Sequence, residues 1–252
     1  MNKAQAIREA FAGVADLRAQ AAAQPALGQA IVRVKALQGE RFAGTYADEL
    51  NGGRFQIATQ FFLTELYSAK DYTQRDAQFS RIAGAIDKLF PDRVGSLALS
   101  LAQLHALTGA LDSTMGQAWL AEEKRAGKPK TVSDQARLYT KVWRQTGRER
   151  DRYAQLSTVL GIGEELARLT RLRGLRTMLR MMRGPATAAG LADLQHFLET
   201  GFDTFASLGQ LPGGTEAFLR QIETRETALM KMLFDADLVT CETTLAQTLG
   251  KP

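Results

Sequence analysis

Glu65, Arg75, Asp76, His105 and Asp112 are the residues whose types and spacing could do chemistry. Glu65 sits inside Phe61-Phe62-Leu63-Thr64-Glu65-Leu66-Tyr67, at the edge of an apolar helical face, and Arg75-Asp76 open the next predicted helix. A carboxylate at a core edge needs a partner, because burying one unpaired charge is costly. One reading is a polar pocket in which these five side chains grip a small ligand. The other, preferred, reading is a Glu65–Arg75 ion pair that fixes the angle between two helices, since structural ion-pair networks also perturb carboxylates.

His105, Thr108 and Asp112 occupy i, i+3 and i+7 and so share one strip of a helix. Two turns separate His105 from Asp112, about 10 Å along the axis, which is too far for a hydrogen bond or for chelating one metal. A haem ligand or a general base stays open for His105, which titrates near neutral pH. A histidine hydrogen-bonded at the core boundary is the preferred reading, and His196, with apolar neighbours on both sides, is read as structural too. The chain has one cysteine, Cys241, and two histidines, so CxxC sites and a three-His zinc site are excluded. Neither a Glu-x-x-His pair nor a Gly-x-Ser-x-Gly elbow occurs, and Gly161-Ile162-Gly163 lacks the strand and third glycine of a dinucleotide site. We therefore name no catalytic residue, no metal and no cofactor, and leave open whether the chain is an enzyme.

Charge is more informative. The net charge of +5 comes from 32 Lys+Arg against 27 Asp+Glu. Residues 124–183 hold 16 basic and 5 acidic residues, a surplus of +11 that the rest of the chain more than halves. Such a block draws anionic partners if its charges share a face. Within it, Leu166–Arg183 reads as a basic amphipathic helix. Arg173, Arg176, Arg180 and Arg183 fall within about 80° at 100° per residue, opposite Leu175, Leu179 and Met182. These arginines are the candidate partner-binding residues. The rival reading has them neutralised by the acidic helices around Glu199, Asp203, Glu216 and Glu223. The run Lys124–Arg152 interleaves ten basic residues with Tyr139, Trp143 and Tyr153, a composition that could stack on single-stranded nucleic acid. Tyr139, Val142 and Trp143 equally form an apolar helical stripe, and nucleic acid ranks third.

The elements that must position these groups are helices. Asn2 reads as the cap of a first helix to Ala23, and Pro25 opens a second toward Leu50, closed by Asn51-Gly52-Gly53. Asp71 caps a helix that stops at Phe90-Pro91. Asp92 opens a long one whose stripe is Val94, Leu97, Leu101, Leu104, Leu111, Met115 and Trp119. Helix resumes at a Ser133 cap, and the stretch Arg148–Arg183 is helical but interrupted at Gly161-Ile162-Gly163 and Gly174. Further helices span about 186–208 and 215–236. Period-two alternation is absent. The expectation is one all-α domain over 1–252, a bundle-like array of eight to ten helices without sheet. Residues 124–130 are a candidate internal linker, and 238–252 a tail that is a candidate for disorder.

The pattern Phe61-Phe62-x-x-Glu65-Leu66-Tyr67 followed by Asp71-Tyr72-x-x-Arg75-Asp76 resembles an uncharacterised family of bacterial all-helical proteins. The segments Leu179–Ala186 and Leu194–Phe202 look like a second part of that pattern, so the resemblance spans about residues 50–235. It implies a helical unit and carries no reaction.

Without a continuous apolar run of about 20 residues or a secretory leader, the chain reads as a cytoplasmic protein. The favoured function is a non-catalytic binding or scaffold protein docking an acidic protein partner or an anionic membrane surface through its basic central segment. The alternative is a helical enzyme or cofactor-binding protein using the five-residue pocket, and the third is nucleic-acid binding. A homo-oligomer is compatible with each.

Overall fold

Helical periodicity in the sequence becomes helix almost throughout the computed structural model, which describes residues 2–89 and 92–250 and is 85% helical. The elements are α1 (Lys3–Ala23), α2 (Pro25–Thr45), α3 (Ala47–Leu50), α4 (Gln56–Glu65), α5 (Thr73–Leu89), α6 (Asp92–Ala126) and α7 (Val132–Thr146). There follow α8 (Glu149–Thr170), α9 (Leu175–Met181), α10 (Arg183–Ala188), α11 (Ala192–Gln210), α12 (Gly214–Asp235) and α13 (Leu238–Leu249). No strand occurs among the described residues, and the fold is all-α.

Thirteen helices among the described residues exceed the eight to ten expected, because short pieces stand where longer helices were anticipated. Tyr46 separates α3 from α2, and Gly190, with φ +66°, ends α10 before α11 begins. Conversely, α8 runs unbroken through Gly161-Ile162-Gly163. A Cβ on Gly163 would lie 2.6 Å from Leu219 Cδ2 and 3.3 Å from the Phe205 ring, so that glycine serves close packing rather than a break. The expected stop at Phe90-Pro91 lies outside the described residues.

Several helix starts follow local chemistry. Asn2 Oδ1 accepts the Gln5 N–H at 2.8 Å, and Asp71 Oδ1 accepts the Thr73 N–H at 2.9 Å, as their residue types predict. The cap of α7 is Thr131 rather than Ser133. Thr131 and Asp134 exchange side-chain-to-backbone hydrogen bonds at 3.0 Å, and only that pair has the three-residue spacing of a capping box.

Two compact units divide the chain. The first comprises Met1–Asp16, Lys70–Leu107 and Ser157–Arg220; the second comprises Leu17–Ala69, Thr108–Leu156 and Gln221–Pro252. In the first, Ile7, Phe11, Phe79, Ala83, Ala102 and Leu194 form a core, with Phe11 and Phe79 rings 5.2 Å apart. Leu97, Leu104, Ile162 and Leu169 form another. In the second, Trp119, Tyr46, Phe42, Leu37, Leu111 and Met115 are fully buried, and the Phe42 and Tyr67 rings stack at 4.3 Å.

Of the candidate linker 124–130, the first three residues complete α6 and only 127–130 are irregular. The tail forms α13, which packs against α7 and α2 and buries Cys241 and Leu245. Helix α6 is long and apolar enough to cross a membrane, with an 18-residue window of mean hydropathy 1.4, of which 33% is buried. Core residues Leu97, Leu104 and Leu111 come from this helix.

Candidate functional site

Three of the five pocket candidates come together in the first unit. His105 Nε2 lies 2.7 Å from Asp76 Oδ2, and Asp76 is buried. Arg75 Nε is 3.9 Å from Asp76 Oδ1, while its guanidinium lies 3.9 Å from the Tyr72 ring centre and 4.5 Å from that of Phe197. Beside them, Gln78 donates to Asp193 at 3.1 Å and accepts the Leu194 N–H at 2.9 Å, tying α5 to the start of α11. These contacts orient a histidine–carboxylate pair and hold a cation between aromatic rings. Glu65 and Asp112 belong to the second unit, where Asp112 accepts from Gln38 at 3.2 Å. Among the described residues no group of three or more His, Cys, Asp or Glu side chains is placed to hold a metal ion.

The basic segment departs from its expected form. Helix Leu166–Arg183 is not continuous: α8 ends at Thr170, Gly174 adopts φ +85°, and α9 is seven residues long without a buried residue. Around α9, Met178, Met181 and Met182 fall within a sector of about 100°, and Arg176 and Arg180 lie on the opposite side. The arginine side is the one engaged by the protein. Arg176 donates to Asp203 at 2.7 and 3.0 Å, and Arg183 to Glu199 through both carboxylate oxygens. These hydrogen bonds hold Asp203 and Glu199 below the usual carboxylate range and raise Arg176 and Arg183 above theirs. The apolar side faces solvent: Met181 is 74% exposed, Leu172 52%, Met182 42% and Met178 38%. The burial expected for Met182 does not occur, because α11 meets this stretch through Arg176 of α9, Arg183 at the start of α10 and the Leu179 carbonyl, which accepts from Gln195 at 2.6 Å.

Much of the remaining positive charge is also engaged inside its unit. Arg137 pairs with Glu242 at 2.7 Å, Arg144 donates to Leu233 O at 2.7 Å, and Arg152 is buried over the Trp143 ring at 4.0 Å. Burial lowers the Arg152 pKa. Tyr139 and Trp143 are buried and so present no ring face to a base. Among the described residues of the segment, Lys124, Lys128, Lys130, Arg150, Arg173 and Arg180 are exposed and form no ion pair.

Glu122 gathers three donors: Lys141 at 2.7 Å, Gln145 at 2.8 Å and Arg125 at 2.8 Å. The Lys141 hydrogen bond, then those of Gln145 and Arg125, lower its pKa from 4.5 to about 2. A carboxyl depressed in the folded state stabilises fully above its unfolded value. That contribution fades as pH falls from 4.5 through about 2. Glu122→Gln should therefore flatten the acid limb of the stability–pH profile in that window, read by denaturant titration at a series of pH values. An acid limb identical to that of the parent protein would show that the carboxylate is not so held.

Residue types alone did not point to a second buried polar group. Arg41 Nη1 and Glu226 Oε1 are 2.6 Å apart and both side chains are buried; Tyr67 donates to Glu226 Oε2 at 3.4 Å. Burial lowers the Arg41 pKa, but the Glu226 charge, with Tyr67 and Tyr139, more than offsets this and raises it. Burial, reinforced by Glu226, raises Tyr46 and Tyr67. Arg41 and Glu226 are 185 residues apart, which explains why spacing gave no signal.

Residues 17–239 match a domain of unknown function (DUF8198). Neither a curated protein nor a solved structure matches the chain.

Proposed function

The chain belongs to the DUF8198 family, and we propose that it is a non-catalytic helical binding protein that docks an anionic surface through its basic central segment. The observation that carries this reading is the stretch 171–183, which exposes Leu172, Met178, Met181 and Met182 to solvent and also carries, away from the methionine side, the exposed Arg173 and Arg180 that form no ion pair. A core has no use for that combination. An anionic partner with apolar material behind its charge would bury both.

The test is retention of the full chain on an immobilised acidic polypeptide such as polyglutamate. Binding should be present at low salt and fall steeply as salt approaches 0.1 M, where exposed charges are screened beyond about 10 Å. Arg173→Gln/Arg180→Gln should weaken it about fivefold for each charge removed. Retention that ignores both salt and this variant would refute the reading.

A second reading rests on the Arg75–Asp76–His105 group. Its half-buried histidine on a buried carboxylate is an arrangement that could support a general base or hold a small polar ligand. Here the ligand would have to protect His105 from modification, an outcome not expected of a docking protein.

A further inference from the structure

We propose that the anionic surface is a lipid bilayer, and that the side of α9 bearing Met178, Met181 and Met182, with Leu172 in the preceding turn, inserts at its interface. The inference rests on the docking reading above and adds the chemistry of the partner. Three observations select a bilayer over a soluble protein. First, size: α9 is seven residues long, hence about 10 Å. A stable protein–protein interface takes about 800 Å² from each partner, far more than one such helix offers, which also disfavours a second copy of this chain. Second, the shape of the exposed set: it protrudes, with Met181 74% exposed. Isolated flexible thioethers need a complementary groove to bind a folded protein, whereas the boundary between headgroups and acyl chains accepts protruding apolar side chains of any arrangement.

Third, the charge. Around this stretch the five arginines from Arg171 to Arg183 face Glu199, Asp203 and Glu216, so the surplus is only +2. Two spare charges hold a soluble acidic partner such as polyglutamate weakly and only at low salt. Arg173 and Arg180, long and exposed but away from the methionine side, reach headgroups only from the flanks of the insertion. There they add a weak second attraction to it, since membrane association generally takes two signals together. The ion pairs Arg176–Asp203 and Arg183–Glu199 then have a mechanical role. They fasten the opposite side of this segment to α11, so that the methionines stay turned outward.

The experiment is cosedimentation of the full chain with phosphatidylcholine vesicles that contain or lack phosphatidylserine, beside polyglutamate binding in the same buffer. The expected result is partition onto the phosphatidylserine-containing vesicles alone. Met178→Gln/Met181→Gln/Met182→Gln should lower that partition roughly tenfold or more, with thermal melting and polyglutamate binding unchanged. Because the three side chains are exposed, folding is not at stake. If the chain binds polyglutamate and ignores both kinds of vesicle, the lipid inference falls and docking to an acidic protein stands. Undiminished vesicle partition by the triple variant also overturns the inference. Binding to neither probe removes the docking reading itself.

Discussion

Glu226→Ala should destabilise the protein by about 3–5 kcal/mol, the usual consequence of leaving a buried cation without its partner. Arg41 is buried, and its Nη1 lies 2.6 Å from Glu226 Oε1, so removal of the carboxylate strands a guanidinium that burial already disfavours. The Arg41 Nε has no hydrogen-bond partner among the described residues, and the ring faces of Tyr67 and Phe42, 5.3 and 5.9 Å from the guanidinium carbon, do not replace a carboxylate's charge. Tyr67 loses its acceptor in the same step. Pairing the change with Arg41→Met should recover a large part of the loss, because well-packed apolar residues often replace a buried ion pair at little cost. In a denaturant double-mutant cycle the two single losses should therefore exceed the double loss by more than about 1 kcal/mol. Additive losses would mean that the pair is not coupled.

Gly44→Val should release α13 from its seat. Gly44 is in α2, and a Cβ at this position would collide with the Thr248 main-chain carbonyl in α13. A clash with backbone cannot be relieved by a rotamer change, so one helix must move, at a cost at the upper end of overpacking, about 3 kcal/mol. Cys241 reports the event. Its thiol is buried and donates to the Met232 carbonyl at 3.0 Å. In the parent protein it should resist a maleimide under native conditions. In the variant, a loss of about 3 kcal/mol from local docking corresponds to a labelling rate more than a hundredfold higher. Equal labelling of both proteins would show that α13 does not depend on this contact.

What the sequence made legible was local. Asn2 and Asp71 act as caps, Pro25 opens α2, and Leu97, Leu104, Leu111, Met115 and Trp119 are buried along α6 as their three-and-four spacing requires. What it hid was decided by distant residues. Gly163 looked like a helix break because its reason, the approach of Leu219 and Phe205, comes from other helices. Candidate site residues show the same division. His105 and Asp76 were both singled out, but their pairing across 29 positions is a tertiary fact. The four arginines are all exposed, two of them in ion pairs, and spacing alone could not say which side of their helix would meet the protein. Asp203 and Glu199 on α11 settle that, and they turn the methionines outward instead.

The central claim, docking by the exposed 171–183 stretch, is tested most directly by two arginine pairs compared in one assay. Arg173→Gln/Arg180→Gln and Arg176→Gln/Arg183→Gln remove the same charge from the same segment, and each protein is measured for binding to phosphatidylserine-containing vesicles and for its melting temperature. The account predicts that the first pair loses binding by about fivefold per charge and keeps its melting temperature. The second pair should lower the melting temperature by about 2–4 °C, since two exposed ion pairs together contribute on the order of 1 kcal/mol. Unchanged binding by the first pair, with the stability loss confined to the second, would mean that the basic segment serves only the fold, and would contradict the account.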